Sequence, residues 1–234
     1  MIDNKAKSRA GRRKAVRRAV TFCALALAAT AGVAADLRGF VSEGGAGVLQ
    51  YQPCNGAVMS QQLFPIDDKT PNGTLRSGVG AVRQIMLHRY RPLYVEMRGE
   101  RGKTNATAYQ FQRAVGTVES CKSLPRDVAP NVRLLANGEM PSWRLVVTDA
   151  TAVIELPDKV SVKLPAAAFK MAGTDQTTKA TLPRTYDAQS SDGTAIRVEV
   201  NPQVCTDGRS ETAYGARVIV RFEKRAYQGC AARF

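Results

Sequence analysis

Apolar and polar residues alternate at strand spacing along most of this chain, and fall at helical spacing over one stretch. In the first half, Leu37–Val41 and Val48–Gln52 are short β-like runs, and Gly44-Gly45-Ala46-Gly47 between them suits a hairpin turn. Leu75, Val79, Val82, Ile85 and Met86 recur at helical spacing and predict a helix over Thr74–Leu87, although Gly78 and Gly80 weaken it. Leu93–Met97 reads as a strand ending at Arg98-Gly99, and Tyr109, Phe111 and Val115–Val118 suggest another.

The second half is strand after strand. Trp143, Leu145 and Val147 share one face of Trp143–Thr148, which pairs across Asp149-Ala150 with Val153–Leu156. Val160–Leu164, Ala195–Val200, Ala216–Phe222 and Tyr227 follow. Arg197, Glu199, Arg217, Arg221 and Glu223 fall on alternate positions, so one face of these strands meets water. Between the halves, 123–142 collects Pro125, Pro130, Pro141, Asn131, Asn137 and Gly138 and reads as a linker. The pattern predicts a mainly β protein with two small barrel-like domains, at 36–122 and 143–234. The first has one helix, and the second is an antiparallel barrel or sandwich.

Charge changes the picture at the N-terminus. Eight basic residues between Lys5 and Arg18 precede a short apolar run, Ala19–Ala31, and Val33-Ala34-Ala35 offers a small-residue cleavage site. That order is a secretory signal peptide over 1–35. The apolar run is shorter than the roughly 20 residues a spanning helix needs, so no transmembrane span is expected in the mature chain. Removing 1–35 takes eight basic residues and one acid from the net charge of +14 and leaves +7. Half of the apparent basicity is therefore targeting signal, and nucleic acid is disfavoured as a partner.

Export also gives the cysteines a meaning. Cys54, Cys121, Cys205 and Cys230 remain after cleavage, and an even count in an oxidising compartment implies disulfides. Three pairings are open, of which the nearest-neighbour one puts a bridge in each half. Zinc has little support, because there is no Cys-x-x-Cys pair and His88 is the sole histidine.

No familiar catalytic constellation is present. The chain has no Gly-x-Ser-x-Gly elbow, no phosphate loop and no Gly-x-Gly-x-x-Gly after a strand. Asp67-Asp68 reads as a solvated loop pair. No catalytic residue, metal or cofactor is expected. The functional feature is charge: Arg76 to Arg113 holds eight basic residues and two acids, with Tyr90, Tyr94, Tyr109 and Phe111 interleaved. Arg89, Arg91, Arg98, Arg101 and Lys103 are the candidate face for an anionic ligand.

Two resemblances add to this reading. Trp143, Cys205-Thr206-Asp207-Gly208-Arg209-Ser210-Glu211-Thr212-Ala213-Tyr214 and Tyr227-Gln228-Gly229-Cys230-Ala231 resemble, in residues and spacing, a family of bacterial envelope proteins of uncharacterised function. Leu37-Arg38-Gly39-Phe40, the Cys54-Asn55-Gly56 turn and the helix–strand unit ending at Arg98-Gly99 are similar to the OB-like domain of NlpE-type envelope-stress lipoproteins. The resemblance implies an OB-like N-terminal barrel and a periplasmic or envelope location. Copper does not carry over, because the Cys-x-x-Cys motif is missing. Asp207, Ser210 and Glu211 are a candidate recognition loop, although turn chemistry alone explains these residue types.

The expected function is binding in envelope homeostasis or stress, with an envelope protein or an anionic envelope polymer or lipid as partner. The alternatives are inhibition of a lysozyme-like hydrolase, a hydrolase with an unfamiliar site, and a purely structural module.

Overall fold

The computed structural model describes residues 34–86, 91–123, 131–157, 160–166, 184–190, 192–207 and 210–234. The strands are β1 (Ala35–Glu43), β2 (Leu49–Asn55), β3 (Val58–Met59), β4 (Phe64–Asp68), β5 (Leu93–Arg101) and β6 (Ala106–Val115), with the helix α1 (Thr74–Ile85) between β4 and β5. They continue as β7 (Val132–Glu139), β8 (Ser142–Thr148), β9 (Thr151–Glu155), β10 (Ser161–Pro165), β11 (Arg184–Gln189) and β12 (Ala195–Asn201). The last four are β13 (Cys205–Thr206), β14 (Thr212–Tyr214), β15 (Ala216–Phe222) and β16 (Arg225–Arg233). The protein is mainly β, with two eight-stranded sheets.

Five strands of the first sheet close on themselves. β1 pairs with β2, β2 with β4, β4 with β6, β6 with β5 and β5 again with β1. Only β4 and β6 run parallel. The inside is filled by Val41, Leu49, Tyr51, Phe64, Leu93, Val95, Met97 and Phe111. α1 joins this core through Leu75, Val79 and Val82, at i, i+4 and i+7 as the periodicity predicts. Gly78, which weakens the helix by propensity, is required by packing: a Cβ there would collide with the Phe111 ring.

The start of α1 explains the adjacent carboxylates. Asp67 and Asp68 end β4 instead of lying in a loop. Asp68 Oδ2 accepts from the Arg76 amide at 3.1 Å, and Oδ1 accepts from the Thr70 amide at 3.0 Å. Thr70 Oγ1 in turn accepts from the Leu75 amide at 3.1 Å. Two orphan amides of the first helical turn are thereby satisfied. Asp67 forms an exposed pair with Lys69 at 3.2 Å.

The second sheet is antiparallel throughout, in the order β10-β9-β8-β7-β16-β15-β12-β11. All eight strands contribute to one core, among them Leu134, Trp143, Leu145, Ile154, Leu164, Tyr186, Val198, Val218 and Tyr227. Arg197, Arg217 and Arg221 lie on the exposed face, as the alternation requires.

Two larger features of the sheets also depart from the sequence expectation. The stretch 123–142 contains β7, which lies between β8 and β16 inside the second sheet. Asn137-Gly138 reads as a loop signal because glycine has no Cβ, yet that absence makes room for the Trp143 ring against Gly138. The second departure is an exchange between the halves. Between β12 and β15 the chain leaves the second sheet, and β14 pairs with β6 of the barrel sheet through Thr212↔Val115, Ala213↔Ala114 and Tyr214↔Arg113. Gly215 then donates its amide to Gln112 O at 2.8 Å, and any side chain there would strike the Phe111 carbonyl.

Both disulfides follow nearest-neighbour pairing. Cys54–Cys121 ties β2 to the 3-10 turn Cys121–Ser123. Cys205–Cys230 differs from a bridge within one half: Cys205 is on β13 of the barrel sheet and Cys230 on β16 of the other.

Candidate functional site

Strand alternation divides the basic segment 76–113 into three environments. Arg113, the last cation of the basic segment, is on β6 with its side chain buried. Its Nε donates to Glu96 Oε2 at 2.6 Å, across the β5–β6 ladder. Tyr94 donates its hydroxyl to Glu96 Oε1 at 2.8 Å, and Arg38 Nε stands 3.8 Å from the same oxygen. The Arg113 guanidinium also lies 5.8 Å from the Phe234 ring. Burial, then the Glu96 carboxylate, push the Tyr94 hydroxyl well above the usual phenol range. Charge and aromatic content alone pointed to a surface here. Only the register shows that Glu96 and Arg113 consume each other.

The second environment is ion-paired or carbonyl-bound, and exposed except at the half-buried Arg83. Arg91 Nη1 is 3.2 Å from Glu119 Oε1, and Arg98 Nε is 3.8 Å from Asp36 Oδ1. Arg83 pairs with Glu43 at 2.6 Å, and Arg76 donates to the Gly47 carbonyl at 2.8 Å. Arg89 and His88 lie outside the described residues.

The third environment is the turn between β5 and β6. Residues 101–105 are all exposed and carry Arg101 and Lys103 without an acid among them. Among the described residues neither cation has an acidic partner. Arg101 stands 5.9 Å from the Phe64 ring, and the Lys103 carbonyl accepts from Gln62 Nε2 at 3.4 Å. Of the interleaved aromatics, Tyr94 and Phe111 are buried and Tyr109 is half-buried, while Tyr90 lies outside the described residues. The candidate anionic-ligand face therefore narrows to Arg101 and Lys103, with the paired Arg98 nearby on β5 and Arg91 at the opposite end of that strand.

The candidate recognition loop closes on itself. Asp207 Oδ1 accepts from the Ser210 amide at 2.8 Å and Oδ2 from Ser210 Oγ at 2.6 Å. The Glu211 carbonyl accepts from the Gly116 amide at 2.7 Å, which extends the β14–β6 contact by one residue. These groups hold a turn against the barrel. Gly208 and Arg209 lie outside the described residues.

A cavity of about 20 Å³, room for one water, is lined by Thr74, Gln110, Phe111, Val200 and Arg233 where the barrel meets the second sheet. An open groove of about 630 Å³ runs along β11, β12 and β15, and its Arg197 and Arg221 are paired with Asp187 and Glu199. Among the described residues no three histidine, cysteine or acidic side chains converge as a metal set would, and no helix is long and apolar enough to cross a membrane.

No family model, curated protein or solved structure matches this chain.

Proposed function

We propose that this is an exported envelope protein that acts by binding an anionic envelope ligand, without catalysis, through an OB-like barrel. Three observations support the reading: the signal-like leader, the two disulfides, and the barrel's order. Counted along the chain, the barrel strands close in the order first, second, third, fifth, fourth, with a helix between third and fourth. Barrels of the OB kind bind oligomers with the second and third strands and with the loops that follow the first and fourth.

The single observation that carries the proposal is the position of Arg101 and Lys103. Arg101 ends the fourth barrel strand and Lys103 lies in the loop after it, both exposed and without acidic partners among the described residues, while the other described cations of the segment are ion-paired, bound to a carbonyl or buried. A cation already paired gains little from an incoming anion, so this turn holds the available charge.

The test is fractionation of cells carrying the protein with Arg89, Arg91, Arg98 and Arg101 all reversed to Glu. Loss of envelope association is expected. Unchanged association would remove the basic segment from the function.

A further inference from the structure

We infer that the barrel end carrying the β2–β3 hairpin and the β5–β6 turn is a docking surface for an anionic lipid bilayer; this rests on the proposed envelope-binding function and names its ligand. The first ground is apolar exposure. Of the seven large apolar side chains exposed among the described residues, three fall within 58–63: Val58 at 66%, Met59 at 37% and Leu63 at 47%. Apolar exposure grouped in this way marks an interaction site more than single scattered residues do.

The second ground is charge on both flanks. On one side, Gln62 bonds to the Lys103 carbonyl and Arg101 stands over Phe64, so Leu63 adjoins the two available cations. On the other side, Met59 is the ladder partner of Cys54, whose disulfide to Cys121 holds Lys122 beside the hairpin. Lys122 is exposed and has no acidic partner among the described residues. Residues 55–63, 101–105 and 121–123 contain no acid at all. Of the nearest acids on β1 and β5, Asp36 is paired with Arg98, and Glu100 accepts from the Tyr109 hydroxyl and keeps its charge. Apolar side chains ringed by cations match an anionic interface, where the former enter the headgroup boundary and the latter meet phosphate.

A polyanion in solution would need the cations alone, whereas a bilayer also uses Val58, Met59 and Leu63.

The compact unit begins at Gly32, so the test uses 32–234, free of the leader. Flotation with phosphatidylglycerol-containing vesicles is compared with pure phosphatidylcholine vesicles, and dextran sulfate serves as a soluble polyanion. Salt-sensitive binding to the anionic vesicles is expected. Replacing Arg101, Lys103 and Lys122 by Gln should weaken it by about fivefold per charge. Val58→Asp with Leu63→Asp should weaken vesicle binding and leave dextran sulfate binding intact, with near-native circular dichroism as the folding check. Dextran sulfate binding without vesicle binding would overturn the bilayer and leave the anionic-ligand function standing. Binding to neither would overturn both. Vesicle binding unmoved by the Asp substitutions would overturn this end as the docking surface.

Discussion

Cys205 and Cys230 join two sheets that share no main-chain ladder between them at that point: Cys205 belongs to β13, at the edge of the barrel sheet, and Cys230 to β16, inside the other. The bridge and the β14–β6 ladder together bind the barrel to the second sheet. Closing loops of 25 and 67 residues, the two disulfides contribute about 3.5 and about 4 kcal/mol respectively in the chain-entropy account. Replacing Cys205 and Cys230 by Ala should lower unfolding stability by about 3 kcal/mol. Trp143, the only tryptophan, reports on the second sheet alone. Its emission and far-ultraviolet dichroism should unfold together in the native protein and separate in the variant.

The Glu96–Arg113 pair is a second point of leverage, because both side chains are withdrawn from water. Glu96→Gln removes the carboxylate and leaves a buried guanidinium, which should cost about 3 kcal/mol or more. Replacing both residues by Met removes both charges and should recover most of that loss. Urea unfolding of the three proteins measures the difference, and equal losses in the single and double variants would contradict this account.

Tyr51 and Tyr94 make stability sensitive to alkali. Burial is the main cause that raises both hydroxyls; Tyr51 donates to the Arg38 carbonyl at 2.9 Å and Tyr94 to Glu96. In the unfolded chain each phenol ionises near pH 10 (~10 in model peptides), whereas the folded protein holds its proton. The unfolded state then binds fewer protons, so stability falls as pH rises above that value, and the contribution is fully present below it. Unfolding midpoints taken from pH 8 to 11 should decline, and Tyr51→Phe or Tyr94→Phe should flatten the decline.

Asp68 caps the only described α-helix from the end of the preceding strand. Asp68→Ala should destabilise by about 1–2 kcal/mol, the usual value of a lost cap. Asp68→Asn keeps an acceptor and should lose less. Thermal unfolding of both variants checks the order, and an unchanged midpoint in Asp68→Ala would remove the cap from the account.

The sequence by itself determined the strand content, the position of the helix and the pairing of Trp143–Thr148 with the strand that follows. These rest on local periodicity: a strand with one wet face must alternate, and α1 must repeat its apolar residues every three to four positions. Nearest-neighbour pairing of the cysteines was the simplest of three choices, and the structure adopts it. Tertiary structure alone decided the rest, because those features depend on partners distant in the chain. β4 was hidden by Pro65 and two aspartates, and it forms because β2 and β6 offer ladders on either side. β7 was hidden by Asn137-Gly138, whose missing side chain is what Trp143 fills. β14 has three residues and no pattern of its own; β6 makes it a strand. The candidate site was legible as a run of positive charge between Arg76 and Arg113. Which of those charges is spent on Glu96, Glu43, Asp36 or Glu119, and which remain at Arg101 and Lys103, follows from register across the barrel. Composition counts charges, whereas an ion pair needs two side chains brought within about 4 Å, and only the folded backbone sets that distance.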